Sequence, residues 1–152
     1  MRKIFKIFID FDGTIAGESK WSGFWYNTSQ LFKTGLLMEL PSYNWSVLTS
    51  RPKMDKFFIW KACRKYKIYP DKIITTNTWF YPFKDKEDAS NWKSSILSKC
   101  ISDQIFIDKV IYVDSDSEIT SKIFKQPNLI ICHPNVLKNV LNYLEGDIDG
   151  EM

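Results

Sequence analysis

Five short apolar runs punctuate the chain, at residues 4–9, 45–48, 72–75, 109–113 and 128–132, each closed by charged or turn-forming residues. The runs are continuous and rich in Ile and Val, the pattern of strands covered on both faces, as in parallel sheets. Helical spacing fills the gaps. Residues 52–68 begin at Pro52, suited to a first helical turn, and repeat apolar positions at Phe57, Phe58, Ala62 and Tyr66. The pattern predicts further helices over 90–101, capped by Ser90 or Asn91, over 117–124, capped by Ser117, and over 134–145. Strands alternating with helices predict one α/β domain spanning 1–152, a Rossmann-like doubly wound sheet of about five parallel strands flanked by helices. Such folds place ligands outside the carboxyl ends of their strands.

Three of the runs end there in residues with chemistry to offer. The first stops at Asp10-Phe11-Asp12-Gly13, the second at Thr49-Ser50-Arg51, and the fourth at Asp114-Ser115-Asp116-Ser117-Glu118. A single carboxylate at a strand end ordinarily caps a helix or a turn. Two acidic clusters meeting at one sheet edge need a different account, because two bare carboxylates about 4 Å apart repel by roughly 4 kcal/mol at an effective dielectric near 20. A divalent cation resolves the conflict, and hard oxygen ligands of this kind select magnesium.

Composition narrows the setting. A chain of 152 residues, 44% hydrophobic and 16% aromatic, suffices for a buried core without staples and excludes a disordered chain. The net charge of +3 tolerates an anionic substrate without amounting to the footprint of a dedicated nucleic-acid binder. Cys63, Cys100 and Cys132 are far apart and lack a CxxC spacing, which suggests reduced thiols and a cytoplasmic setting. The apolar run near the start is too short for a secretory segment or a membrane span, so no membrane partner is expected.

At this point the motifs resemble those of the haloacid dehalogenase superfamily. "IFIDFDGT" is similar to its first motif, "WSVLTSR" to its second and "KVIYVDSDSE" to its fourth, while Lys93 in "NWKSSIL" or Lys84 in "PFKDKED" would supply the third. The resemblance implies a magnesium-dependent phosphatase with Asp10 as the nucleophile that becomes an aspartyl phosphate, and Asp12 as general acid and then base. Dehalogenases of that superfamily lack the second carboxylate, so Asp12 points to phosphoryl chemistry. Magnesium would be held by Asp10, the main chain of Asp12 and Asp114, with Glu118 in support and Asp116 as the alternative. Thr49 would donate to the phosphoryl oxygens, and the amides from Phe11 to Gly13 would cradle the same group. Ser50, Arg51 and Lys84 are candidate substrate contacts. Lys93 is preferred over Lys84 as the charge-neutralising lysine, since it lies near the amino end of the helix leading into the fourth strand.

The two stretches where this superfamily carries caps are short here. An aromatic flap at about 15–44, bearing Trp21, Phe24, Trp25 and Tyr26, and a second insert with Trp79, Phe80 and Tyr81 leave no room for a full cap domain. The expected substrate is a phosphate at the end of a larger molecule or a small one under the flap. "LTSRP" and the aromatic inserts loosely resemble small nucleotidases and repair-linked phosphatase domains, implying a nucleotide or nucleic-acid-end phosphate monoester. A catalytically silent binding or regulatory module is the alternative. A receiver domain is disfavoured, because it would carry its acceptor Asp on a later strand. His133, before Pro134, is expected to cap a turn.

Overall fold

A computed structural model describes residues 4–16, 43–103 and 107–149, with side chains through residue 146. Its strands are β1 (Phe5–Ile9), β2 (Asn44–Leu48), β3 (Ile73–Ile74), β4 (Lys109–Val113) and β5 (Leu129–Cys132). They form one parallel sheet in the order β3-β2-β1-β4-β5, so the first strand lies at its centre. All five expected strands agree within a residue at either end. The shortest is β3, which keeps only Ile73 and Ile74 of the predicted 72–75.

The helices are α1 (Lys56–Lys65), α2 (Lys86–Asp103), α3 (Ser117–Lys122) and α4 (Leu137–Asp149). Strand alternation sends Ile7, Ile9, Val47, Ile111 and Val113 to one face, where Ile59, Ala62 and Cys63 of α1 and Leu137, Leu141 and Leu144 of α4 cover them. The other face presents Phe8, Leu48, Val110 and Tyr112 to Leu97 of α2 and to Ile123 just after α3. Helices on both faces define the doubly wound arrangement. Each fully buried Ile, Leu, Val or Phe stabilises it by about 1.5–3 kcal/mol relative to exposure.

Helix starts and caps differ from expectation, α4 beginning at Leu137 after a short 3-10 turn over Pro134–Val136. α2 begins four residues before Ser90, because the Asp85 carboxylate accepts the Asp88 N–H at 2.9 Å while the Asp88 carboxylate accepts the Lys84 N–H at 3.2 Å. The Asp85 bond satisfies an N–H of the first turn that would otherwise lack a partner, and the Asp88 bond ties down the chain just ahead of the helix. Ser90 is interior, and its hydroxyl donates to the Lys86 carbonyl. α3 is capped by Asp116 rather than Ser117, the Asp116 side chain accepting from the N–H groups of Glu118 and Ile119. Residues 53–55 form a short 3-10 turn ahead of α1. At the far end of α1, Lys67 adopts φ 57°, and the Ile68 N–H reaches back to the Cys63 carbonyl at 3.0 Å, a left-handed cap that turns the chain toward β3.

Most of the predicted aromatic flap, residues 17–42 with Trp21, Phe24, Trp25 and Tyr26, lies outside the described residues. Cys63, Cys100 and Cys132 are free thiols. Among the described residues no helix is long and apolar enough to cross a membrane.

Candidate active site

Register brings the polar strand ends together. Ile9 pairs with Val47 on one side and Val113 on the other. Asp10, Thr49 and Asp114 therefore leave the sheet at a common edge, continuing the ladder through Asp10 N–H to Val113, Thr49 N–H to Ile74 and Asp114 N–H to Cys132.

Asp10 and Asp114 point to the α2 face, and all three charged groups there are nearly sealed from solvent: Asp10 is 7% exposed, Asp114 2% and Lys93 1%. The Lys93 ammonium donates to Asp10 at 2.9 Å and to Asp114 at 3.4 Å, so both carboxylates reach one nitrogen. It also donates at 2.6 Å to the Tyr112 hydroxyl, which in turn donates to Asp114 at 2.6 Å. Lys93 lies two turns into α2, buried on the same helix as Ala89, Ser90, Ser94 and Leu97. The Lys93 alternative, Lys84, is exposed, and its backbone N–H joins the α2 cap.

The electrostatics follow from this burial. Desolvation, opposed by Lys93 and reinforced by Asp114, raises the Asp10 carboxyl to about 7. Burial alone would lower Lys93, but the Asp10 and Asp114 carboxylates override it and hold the ammonium above its usual range. Burial and the same two carboxylates push the Tyr112 phenol well up, so it stays a neutral donor. Two carboxylates against one ammonium leave a net negative charge when both are ionised. That excess would suit a cation.

The loop after β1 is shaped by its own backbone. The Phe11 carbonyl accepts the N–H groups of Thr14, Ile15 and Ala16, and Gly13 takes φ 77°, a left-handed conformation that a side chain would disfavour by about 1–2 kcal/mol. The Phe11 ring is core rather than contact surface, at 1% exposure. Thr14 then bolts this loop to the one after β4: its hydroxyl accepts the Ser115 N–H at 3.0 Å and lies 3.4 Å from Asp10, while the Ser115 hydroxyl donates to the Gly13 carbonyl at 2.7 Å.

Asp12 points elsewhere. Arg51 grips both its oxygens, through Nε at 2.7 Å and Nη2 at 2.8 Å, and also donates to Asp55 at 3.3 Å. Thr49 is buried at the end of β2, its hydroxyl accepting the Arg51 N–H at 3.2 Å, and Ser50 beside it is half-buried. Glu118, expected to support a metal, does not join the Asp10 and Asp114 pair: its exposed carboxylate binds Lys86 at 3.1 Å and Lys122 at 3.8 Å. Asp116 caps α3 and shares Lys86, although its N–H donates to Asp114 at 2.8 Å and so orients that carboxylate. The reason is the earlier start of α2, which brings Lys86 within reach of both acids. His133 caps a turn, its Nδ1 accepting the Asn135 N–H.

Sequence reasoning missed Tyr112, Thr14 and Ser115. Tyr112 reads as one more apolar strand residue, and only its even spacing from Asp114 would have put it on the same face.

Among the described residues no group of three or more His, Cys, Asp and Glu side chains stands ready to hold a metal. A two-carboxylate set is nonetheless the arrangement magnesium accepts, since that ion keeps several waters and completes its shell with substrate phosphate. The donors present are hard oxygens only, which fits.

Fold and site together define an α/β protein with a Rossmann-like parallel sheet and a buried Asp–Lys–Asp cluster at its carboxyl edge. No protein-family model, curated protein or solved structure matches this chain.

Proposed function

We propose that the chain is a phosphohydrolase of the haloacid dehalogenase type, acting on a nucleotide or nucleic-acid-end phosphate monoester through an aspartyl phosphate on Asp10. The observation that carries this reading is the shared ammonium: Asp10 from β1 and Asp114 from the end of β4 meet at Lys93 in a nearly dry site. Asp10 attacks phosphorus, its oxygen forming the new bond as the ester P–O bond breaks. Asp12 would give a proton to the leaving oxygen and then remove one from the water that releases inorganic phosphate, a role that requires its carboxyl to be protonated and to turn away from the Arg51 guanidinium that grips both its oxygens. Lys93 offsets charge on the transferring group, and Arg51 holds the Asp12 carboxyl until it turns to the substrate. Asp10, Asp114 and the Asp12 main chain would hold magnesium, which supplies Lewis-acid neutralisation of the phosphoryl oxygens.

The test is release of inorganic phosphate from an aryl phosphate with magnesium present. Activity should disappear with EDTA and fall by more than about a thousandfold in Asp10→Asn, the scale expected when a covalent nucleophile is removed. Undiminished turnover in that variant would end the proposal. Absence of turnover in the wild type would leave the alternative, a silent binding module.

A further inference from the structure

Away from the carboxylates, α1 and the residues around β3 enclose a groove of about 1220 Å³. This exceeds the roughly 300–1,000 Å³ of an ordinary small-molecule pocket. Its lining combines apolar residues such as Met54, Ile68 and Ile73 with rings and cations. Trp60, Tyr69 and Trp79 are 44%, 65% and 63% exposed, far from the burial such rings normally seek. Arg64 lies over Trp60 at 4.5 Å and over Tyr69 at 5.7 Å, and Lys53 lies over Trp79 at 4.9 Å. Lys56 and Lys72 also line it, against Asp71 as the acid. α1 itself reads KFFIWKACRK, with four basic residues and no acidic one.

The groove is tied to the candidate site. The Thr76 N–H donates to the Arg51 carbonyl at 3.1 Å, and the Lys53 N–H to the Thr78 carbonyl at 2.8 Å. Its β3 end is therefore fastened to the loop whose Arg51 grips Asp12, at the carboxyl edge of the sheet.

Resting on the phosphohydrolase reading above, we propose that this groove binds a single strand of nucleic acid and leads its phosphorylated end toward Asp10. The complementarity is specific in kind. A single strand offers flat bases and anionic phosphates in alternation, and rings interleaved with cations meet both, whereas an acidic peptide has no flat faces to stack and an apolar helix would strand the cations. The strand is recognised by stacking and charge, so little sequence preference is expected.

The experiment is fluorescence anisotropy of a labelled oligothymidylate of about ten nucleotides, a length within the usual span of such sites, titrated with the full chain at several salt concentrations. Trp60→Ala should weaken binding by roughly 5- to 100-fold, the loss of one stacking platform. Arg64→Glu should weaken it comparably and flatten the salt dependence by about one phosphate contact. Lys99→Glu, an equal charge change on exposed α2 across the sheet, should shift affinity by less than about twofold. Unchanged binding in both groove variants, equal weakening by Lys99→Glu, or equally tight binding of a polyglutamate probe would overturn the proposal. Aryl phosphate turnover by the wild type is read in parallel. Oligonucleotide binding without turnover refutes the catalytic reading alone, and turnover without oligonucleotide binding refutes the groove alone.

Discussion

Replacing Lys93 by Met keeps the length and apolar stem of the side chain and removes one charge. In the wild type the ammonium sits 2.9 Å from Asp10 and 3.4 Å from Asp114. At an effective dielectric near 20, each contact is worth about 5 kcal/mol of gross attraction, some 10 kcal/mol together. Desolvating the ammonium offsets much of this, at several kcal/mol per ion, and leaves a net cost of about 3–5 kcal/mol for deleting the cation of a buried pair. Urea denaturation in EDTA, followed by Trp fluorescence, reads the loss as a midpoint lowered by about 2 M for a slope near 2 kcal/mol/M. The deficit should also grow with pH. Asp10 is raised to about 7 in the folded wild type. Its contribution to folding is therefore favourable below about 4 and lost as pH rises toward 7. Lys93 opposes that rise, so the variant holds its proton to higher pH and goes on losing stability after the wild type has levelled off, by up to about 1.4 kcal/mol per pH unit. Lys84→Met, at an exposed position, is the control and should stay within about 0.5 kcal/mol. A Lys93→Met midpoint within about 0.3 M of wild type would refute the buried network and every role built on it.

Tyr112→Phe removes the hydroxyl between Lys93 and Asp114 and should cost about 1–3 kcal/mol in the same titration, with a loss below about 0.3 kcal/mol counting against the bond network. Glu118→Gln should leave the magnesium concentration for half-maximal phosphate release within about twofold of wild type, while Asp114→Asn raises it tenfold or more. A comparable rise for Glu118→Gln would return that residue to the metal.

How much of this was legible along the chain depended on the kind of signal. Apolar runs of four to six residues marked the strands because a sheet covered on both faces tolerates few polar residues within it. The placing of Asp10, Asp114 and Lys93 followed, since strand ends and the preceding helix are set by the same pattern. β3 shrank because an edge strand has a partner on one side only, and its ladder ends where Ile74 meets Leu48. The start of α2 was hidden in the charged run from Lys84 to Asp88, which has no apolar period to betray a helix, although Asp85 caps it by accepting the Asp88 N–H. From that one displacement followed an ion pair that spacing alone did not show: Lys86, brought onto the helix, pairs with Glu118. Tyr112 was invisible for the opposite reason, a polar function carried on a residue that also packs as a hydrophobe.

The central place of β1 has a consequence for biosynthesis. Its outer partner on one flank, β4, lies 104 residues downstream, as the Ile4–Asp108 contact measures. While the ribosome is still working, Phe5 to Ile9 can pair with β2 but must wait, with one greasy flank bare, until β4 emerges. Such a waiting edge invites association with other nascent chains. Only the closing of that seam brings Asp10 and Asp114 side by side, so the site comes into being with it, while β5 has still to pair at the far edge.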